Sequence, residues 1–426
     1  MAATAQTASL PENRLGSLAG MVWRPAALAG GVLLVISALL PLIPAFGLTW
    51  DRFFRSYLFA FELVLSLSLG ALFFVVLQHC VKAGWSVVVR RIAEAVAGNL
   101  MWIWVFFIPV AIGMKSDLLY AWTHLPAEKA TAAKYQYYLT PWFWLIRAAV
   151  FLFVWAMIAR FFVRTSIAQD ATGEVSLTRR MERAAPVAMV LYALTQSYAA
   201  MDWVMSLDSE WFSTMFPVYF FAASCCGFFS LLILLCVNLQ RMGRVTHEIT
   251  PDHYQDMGKL LFAFGIVFWA YIAFSQYMLI WYANIAEEVP FYLTRQASGW
   301  LGISLLLLFG HFAGPFVGII SRHPKRRPAT LALAATWMLI MAVADMYWLV
   351  MPDVPDALVH DARTYREFMA TATGEVVGWH PSILDLTCVL GLGSLLIAGA
   401  FHRLGSCSLI PEHDPRLHES LAFENI

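Results

Sequence analysis

The sequence predicts an all-α integral membrane protein of about ten transmembrane helices. Three observations predict this fold class: 60% of the 426 residues are hydrophobic, 13% are charged, and the mean hydropathy is +0.66. A soluble domain of this length does not need that balance to form its core. The charges of the 28 basic and 28 acidic residues sum to zero, so nothing indicates a nucleic-acid-binding surface.

Ten apolar runs are long enough to cross a membrane, because a helix needs ~20 residues to span a hydrocarbon core of ~30 Å. Residues 1–25 precede the first run, and residues 403–426 form a tail after the last. The predicted spans cover residues 26–46, 57–80, 92–113, 141–163, 184–206, 212–237, 258–283, 298–320, 329–351 and 381–402.

The distribution of Lys and Arg predicts the orientation of these spans. Basic residues are concentrated in the loops on the side of both termini, which places both termini in the cytoplasm. Trp and Tyr are enriched at the opposite, predicted outer boundary, where such rings anchor helices at the headgroup level. Residues 1–23 lack a compact apolar run followed by a small-residue cleavage site, so we expect no cleaved signal peptide.

The second and third spans each carry an acid. Glu62 lies in the predicted outer half of the membrane, where a charged group costs ~2.5–3.5 kcal/mol and therefore needs a partner or a function. Glu94 follows Arg90 and Arg91 by one turn on the cytoplasmic side. Lys259 lies at the start of span seven, on the same side. We interpret Glu94 and Lys259 chiefly as interfacial salt-bridging residues.

Spans four and five contribute Arg147 and Asp202, again in the predicted outer half. Arg147 is a candidate counter-ion for one of the buried acids. Tyr198 and Ser206 lie one turn before and after Asp202, so the three residues predict a polar stripe that can carry a proton.

Span six follows a turn of only a few residues, which predicts a tight helical hairpin between spans five and six. In span eight, His311 lies near mid-membrane within Gly310-His-Phe-Ala-Gly314-Pro315. Gly and Pro can interrupt a helix and release backbone groups there. His311 is therefore a candidate proton relay, the alternative being a neutral His bonded to a neighbouring helix.

Spans nine and ten contribute the acids Asp345 and Asp385. For Asp385, the pattern Ser382-x-x-Asp385 also predicts a helix N-terminal capping arrangement. The segments 200–208 and 344–353 resemble each other, at the ends of spans five and nine. This similarity predicts two parallel four-helix bundles, spans two to five and six to nine, with two peripheral helices.

The six cysteines form no CxxC, no CxxCH and no four-cysteine series, so we expect no covalent haem, no iron–sulfur cluster and no metal in this chain. A non-covalent haem commonly takes paired intramembrane His ligands. Only His311 lies deep in a span, with His79 at a helix end.

Two segments resemble a known family. Met201-Asp-Trp-Val-Met-Ser-Leu-Asp-Ser-Glu-Trp-Phe-Ser-Thr-Met-Phe-Pro-Val-Tyr219 and Phe274-Ser-Gln-Tyr-Met-Leu-Ile-Trp-Tyr-Ala-Asn-Ile-Ala-Glu-Glu288 resemble the NrfD/PsrC-like membrane subunits of bacterial alternative complex III. Within that family the first segment is closer to ActF, the smaller membrane subunit, than to ActC. The sequence departs from the family pattern at Asp208-Ser209, where a Glu-Pro type of turn is more usual, and at Ala286, where Pro often precedes the Glu pair. The matching residues are Asp202, Asp208, Glu210, Trp211, Gln276, Trp281, Tyr282, Asn284, Glu287 and Glu288.

The resemblance implies a membrane subunit of a respiratory or photosynthetic quinol:electron-acceptor oxidoreductase in the bacterial inner (cytoplasmic) membrane. It implies that this subunit supports quinol oxidation and proton translocation without a redox cofactor of its own, with menaquinone or ubiquinone as the quinone. The implied partners are an ActC-like subunit, an iron–sulfur subunit, multihaem cytochrome c subunits, lipids and a terminal oxidase.

The candidate residues fall into two sets. Those for a proton pathway or the quinone side are Asp202, Glu62, Asp345, Asp385, His311, Tyr198, Gln276, Arg147 and Glu94, and those of an outer acidic motif are Asp208, Glu210, Glu287 and Glu288. Two other functions stay open. A secondary transporter would use the buried acids for a coupling ion, and a structural scaffold would retain them for packing specificity alone.

Overall fold

A computed structural model describes residues 13–125, 131–296, 299–352 and 379–425. These residues form helices and connecting turns, with no strand among them. The prediction of an all-α membrane protein is therefore confirmed. Part of the predicted segment 1–25 and most of the connection between spans nine and ten lie outside the described residues.

Sixteen α-helices in the described residues are numbered here in chain order. They are α1 Ser17–Leu39, α2 Trp50–Cys80, α3 Val87–Ala97, α4 Ile103–Lys115, α5 Pro141–Thr172, α6 Val175–Trp203, α7 Phe216–Arg241, α8 Pro251–Leu260, α9 Trp269–Ala283, α10 Pro290–Gln296, α11 Trp300–Leu306, α12 Gly314–Ile319, α13 Arg322–Arg326, α14 Pro328–Val350, α15 Ile383–Leu404 and α16 Leu417–Leu421.

Eight continuous helical segments of the described chain are long and apolar enough to cross a membrane. A ninth results if α3 and α4 count as one span, although the helices meet at 43°. The remaining predicted span corresponds to α6, which has 29 residues. Its apolar run is diluted near its end by Thr195, Gln196 and Ser197.

The two central helices are α2 and α7, whose apolar windows are 94% and 89% buried. They approach closely at Gly70, where an added Cβ atom would lie 2.5 Å from the Ser224 carbonyl oxygen. Helices α5 and α6 pack on the α2 side, and α9, α12 and α14 on the α7 side. The first helix is peripheral, with 11% of its window buried, and packs against α15. This arrangement agrees with two bundles and two peripheral helices.

Two spans contain π-helical segments, Leu261–Phe268 before α9 and Leu307–Ala313 between α11 and α12. Gly310 to Ala313 therefore lie in a π-helix that continues directly into α12 at Gly314, so the helix is not broken there. In a π-helix the Gly310 carbonyl would pair with the N–H five residues on, which Pro315 lacks. The Trp337 Nε1–H donates to that carbonyl instead, at 2.7 Å.

The C-terminal tail folds back against the bundle. The Leu409 N–H donates to the Asn13 carbonyl at 2.7 Å, and the Ser420 hydroxyl donates to the Trp85 carbonyl at 2.6 Å. Asn13 and the tail thus lie at the same end of the molecule, in agreement with termini on one side of the membrane.

Candidate functional site

Asp202 and Arg147 form a buried ion pair between α6 and α5. The Arg147 Nε and Nη2 groups donate to the two carboxylate oxygens of Asp202 at 2.6 and 2.9 Å. The Asp202 side chain has no exposed surface, and Arg147 is 9% exposed. Arg147 also stacks on Tyr138, with its guanidinium carbon 3.9 Å from the ring centroid. Two parallel charge-assisted hydrogen bonds make this a strongly oriented pair, and Arg147 is the counter-ion of Asp202.

The predicted polar stripe along α6 is only partly formed. The Ser206 hydroxyl donates to the main-chain carbonyl of Asp202 at 2.6 Å, and not to its carboxylate. Tyr198 is 48% exposed on the outer surface of the bundle. Tyr138 lies beside the carboxylate in its place. Burial, followed by the charge of Asp202, raises the pKa of the Tyr138 hydroxyl.

Glu62 is buried, with no counter-ion among the described residues. It is 1% exposed, and its Oε1 atom has no hydrogen-bond partner among the described residues. Tyr120 interacts electrostatically with both Glu62 and Asp202, and its hydroxyl donates to the Trp203 carbonyl at 2.9 Å. Glu62 and Asp202 therefore belong to one region of the first bundle, although only Asp202 is charge-compensated.

Asp345 is the centre of a second group, in the other bundle. It has no exposed surface and accepts hydrogen bonds from the Tyr219 hydroxyl and from Trp269 Nε1–H, the latter at 2.9 Å. Both donors are neutral. No cation pairs with Asp345 among the described residues. Asp345 therefore lacks the charge compensation that Arg147 gives to Asp202.

His311 completes this second group. Its ring lies parallel to the Trp269 indole, with centroids 3.8 Å apart and an interplanar angle of 6°. Its Nε2 atom is 3.0 Å from the Gly265 carbonyl, and its Nδ1 atom is buried without a partner. The first contact makes Nε2–H the donor and leaves Nδ1 as a free acceptor. The two π-helical segments of the fold meet at this contact.

Asp385 is a capping residue, as the alternative interpretation predicts. Its carboxylate accepts from the Ser382 N–H at 2.8 Å within a capping box at the start of α15. It also pairs with Arg52 at 2.5 Å and accepts from the Ser56 hydroxyl at 2.6 Å. Asp385 therefore joins α15 to α2 and is fully occupied by structural contacts.

Glu94 is a salt-bridging residue, as predicted, within a buried ionic cluster, and it is only 1% exposed. Arg91 Nε lies 3.1 Å from Glu94, and Arg91 Nη2 lies 2.6 Å from Asp170. Arg90 pairs with both Glu94 and Asp414 of the tail. Lys259, in contrast, forms an exposed pair with Asp256 at 2.7 Å.

The second motif segment connects three elements through Gln276. Its side chain is 1% exposed, accepts from the Ser213 hydroxyl at 3.1 Å and donates to the Tyr292 hydroxyl at 3.2 Å. Asn284 ends α9 with a φ of 49°, a left-handed conformation that Asn tolerates. Trp281 and Tyr282 are 69% and 86% exposed, as membrane-interface anchors would be.

Three of the four residues of the outer acidic motif line one cavity, and the fourth lies outside it. Asp208 forms a turn by accepting from the Glu210 and Trp211 N–H groups, each at 3.2 Å. Asp208, Glu210 and Glu287 line a cavity of about 160 Å³ beside Trp211. Glu288 is half-buried outside it.

Sequence reasoning missed one buried cation at this cavity, Arg295. Its guanidinium carbon lies 3.5 Å from the Phe291 ring centroid and 4.8 Å from that of Trp348. It donates to the main-chain carbonyls of Phe291, Trp348 and Leu349 at 3.0 to 3.1 Å. Burial lowers the pKa of Arg295 to about 9. The signal available in the sequence was the position of Arg295 among aromatic residues of a predicted outer loop.

Tyr219, Trp269 and Arg52 were also missed as site residues. Tyr219 lies in the first motif segment, whereas nothing in the sequence distinguished Trp269 or Arg52 from membrane-boundary residues. Across the described ranges, no group of three or more His, Cys, Asp or Glu side chains is arranged to hold a metal ion.

No protein-family model matches the chain, and no curated protein sequence is significantly similar to it. The fold itself defines the class: a multi-pass helical membrane protein. The buried candidate acids of the described residues lie in different places: Glu62 and Asp202 in one region, Asp345 in a second, and Glu94 in the ionic cluster with Arg90 and Arg91.

Proposed function

We propose that this chain is the ActF-like membrane subunit of a quinol:electron-acceptor oxidoreductase of the alternative complex III type, and that it conducts protons through buried acids. The motif resemblance and the ten-helix plan support the first part. The observation that carries the second is the burial of Glu62 and Asp345 with no cation beside them in the described parts of the chain, in contrast to Asp202.

The contrast matters because burying a carboxylate costs much more free energy than burying a neutral carboxylic acid. An acid that serves only as a structural ion, such as Asp202, is retained with its counter-ion. Glu62 and Asp345 have no such partner among the described residues, and each can exchange a proton without breaking an ion pair. That is the property required of a proton carrier within the membrane.

The hydrogen bonds around Asp345 favour proton transfer through Tyr219 over proton transfer through Trp269. The Tyr219 hydroxyl can both donate and accept, so it can pass a proton to or from the carboxyl group. The Trp269 indole is a donor only, and its ring separates Asp345 from His311. We therefore assign Tyr219 and Asp345 to the proposed pathway, and we assign His311 to the support of Trp269.

The quinol ring is better placed on a neighbouring subunit than on this chain. A bound quinol needs a lipid-accessible pocket with hydrogen-bonding groups for its oxygens. The large lipid-facing groove between α4 and α5 contains none of Glu62, Asp202 or Asp345. No step of quinol chemistry is therefore assigned to this chain.

The experiment is a comparison of Glu62→Gln, Asp345→Asn and the surface control Asp256→Asn in the purified complex. Quinol-oxidation turnover and proton movement in liposomes are measured together, after subunit content has been verified. We expect both buried-acid variants to lower proton movement per electron while turnover persists, and the control to change neither.

Two results would contradict the proposal. Unchanged proton movement in both buried-acid variants would leave the chain as a scaffold. Purification of the chain without cluster-bearing and haem-bearing partners, together with ion-coupled solute uptake that Asp345→Asn abolishes, would identify a secondary transporter.

A further inference from the structure

A groove of about 830 Å³ opens on the lipid-facing side of the protein between α4 and α5. Its walls are aromatic and aliphatic, and several of them are exposed, including Trp102 at 60%, Trp104 at 50% and Phe153 at 66%. Ala111, Ala149 and Ala156 also line it. The groove is therefore an apolar channel on the protein surface, with small residues leaving room for a guest.

The groove has a structural cause. Helix α3 is buried along its entire length, whereas α4 leaves the core at the 43° bend after Met101. The divergence of α4 from its own preceding helix leaves space beside α5. The groove therefore belongs to the backbone arrangement and does not depend on one side-chain conformation.

The two ends of the groove are basic. Arg160 and Arg164 line it one turn apart on α5, and Lys115 lines it at the end of α4. Arg160 and Arg164 are exposed, and no described acid pairs with either. From Ala149 to Arg164 the helix rises about 22 Å at 1.5 Å per residue, so the groove follows α5 across most of the hydrocarbon layer.

We propose that this groove binds an anionic diacyl phospholipid. An acyl chain lies along the apolar wall formed by Trp104 and Phe153, and the phosphate lies between Arg160 and Arg164. Guanidinium groups pair with phosphate through directed hydrogen bonds, and basic pockets between transmembrane helices on the cytoplasmic side select anionic headgroups. The volume is within the range of ligand pockets.

The unpaired arginines argue for a lipid over a second protein segment. A helix from a partner would cover the apolar wall but would need an acidic side chain to pair with the two adjacent guanidinium groups. An anionic lipid supplies both an acyl chain and a phosphate in one molecule. The inference stands apart from the proposed function, since it concerns neither the buried acids nor quinol oxidation.

The experiment uses the full chain in phosphatidylcholine nanodiscs that contain a small fraction of photoactivatable phosphatidylglycerol. A phosphatidylcholine probe with the same acyl chains is the headgroup control. Cross-linked residues are mapped by mass spectrometry. We expect the phosphatidylglycerol probe to label α4 and α5 preferentially, and inorganic phosphate not to compete.

Two variants separate the headgroup from the chain. Arg160→Gln/Arg164→Gln should reduce phosphatidylglycerol labelling about thirty-fold, because each basic residue near an anionic lipid contributes roughly a factor of five. Ala149→Trp should reduce labelling by both probes. Arg179→Gln/Arg241→Gln removes two exposed charges of the same predicted side outside the groove and should leave labelling unchanged.

Several results would overturn the inference. Equal labelling by the two probes, or full labelling of the Arg160→Gln/Arg164→Gln variant, would exclude headgroup selection. Labelling centred on other helices would exclude the groove. Competition by inorganic phosphate would indicate a free-anion site, and cross-links from the groove to another polypeptide in native membranes would assign it to a partner helix.

Discussion

Replacing Asp202 by Asn should destabilise the protein far more than replacing Asp345 by Asn, although neither side chain has exposed surface. Asp202→Asn leaves the guanidinium of Arg147 buried without its charge partner, and breaking a buried pair in this way costs roughly 3–5 kcal/mol. The remaining contacts of Arg147 with Tyr138 do not replace a carboxylate.

Asp345→Asn removes no ion pair. The amide oxygen of Asn can still accept from Trp269, and its amide nitrogen can donate to the Tyr219 hydroxyl, which then acts as acceptor. We expect a loss of about 1 kcal/mol, the net contribution of one buried hydrogen bond. The structure therefore predicts a difference of roughly 2–4 kcal/mol between two chemically identical substitutions.

The assay is reversible unfolding in mixed micelles, with increasing sodium dodecyl sulfate and helicity followed by circular dichroism. The double variant Arg147→Met/Asp202→Asn serves as the control, because it removes both charges. It should be more stable than Asp202→Asn alone, a non-additive result typical of directly paired residues. Equal free energies of unfolding for Asp202→Asn and Asp345→Asn, or strictly additive losses in the double variant, would refute the reasoning.

Three further predictions use the same unfolding assay. Gly70→Ala should lower the free energy of unfolding by about 1–3 kcal/mol, because the new methyl group overlaps α7. The control Gly31→Ala, with open space around it, should be neutral. Equal effects of the two substitutions would contradict the packing argument. Asp414→Asn should cost roughly 1.5–3 kcal/mol, the contribution of a hydrogen bond to a charged group, because the buried Arg90 keeps Glu94 as a partner. The exposed-pair control Asp256→Asn should cost less than about 1 kcal/mol. Burial, followed by a neighbouring lysine, lowers the pKa of Lys325, so the unfolded chain binds more protons than the folded chain below the ordinary lysine pKa. Stability relative to Lys325→Met should therefore rise as the pH is raised toward 10.5, and a fall over that interval would exclude the lowered pKa.

The composition and hydropathy of the sequence determined the fold class and the number of long helices. Hydropathy is a sum over consecutive residues, and the free energy of transferring a helix into lipid depends on that sum. Local patterns were equally informative. Ser382 and Asp385 formed the predicted cap, because both partners of a capping box lie within one turn of the same helix.

Only the tertiary structure decided which buried acids are paired. Asp202 meets Arg147 across 55 positions of the chain, and Asp345 receives its donors from two other helices, whereas Glu62 meets no cation among the described residues. These outcomes depend on the rotation and spacing of packed helices, to which a hydropathy sum is insensitive. The bend between α3 and α4 has the same origin, and so does the groove beside it. The sequence alone thus showed that acids enter the membrane, and the packing of helices decided which of them retain a partner.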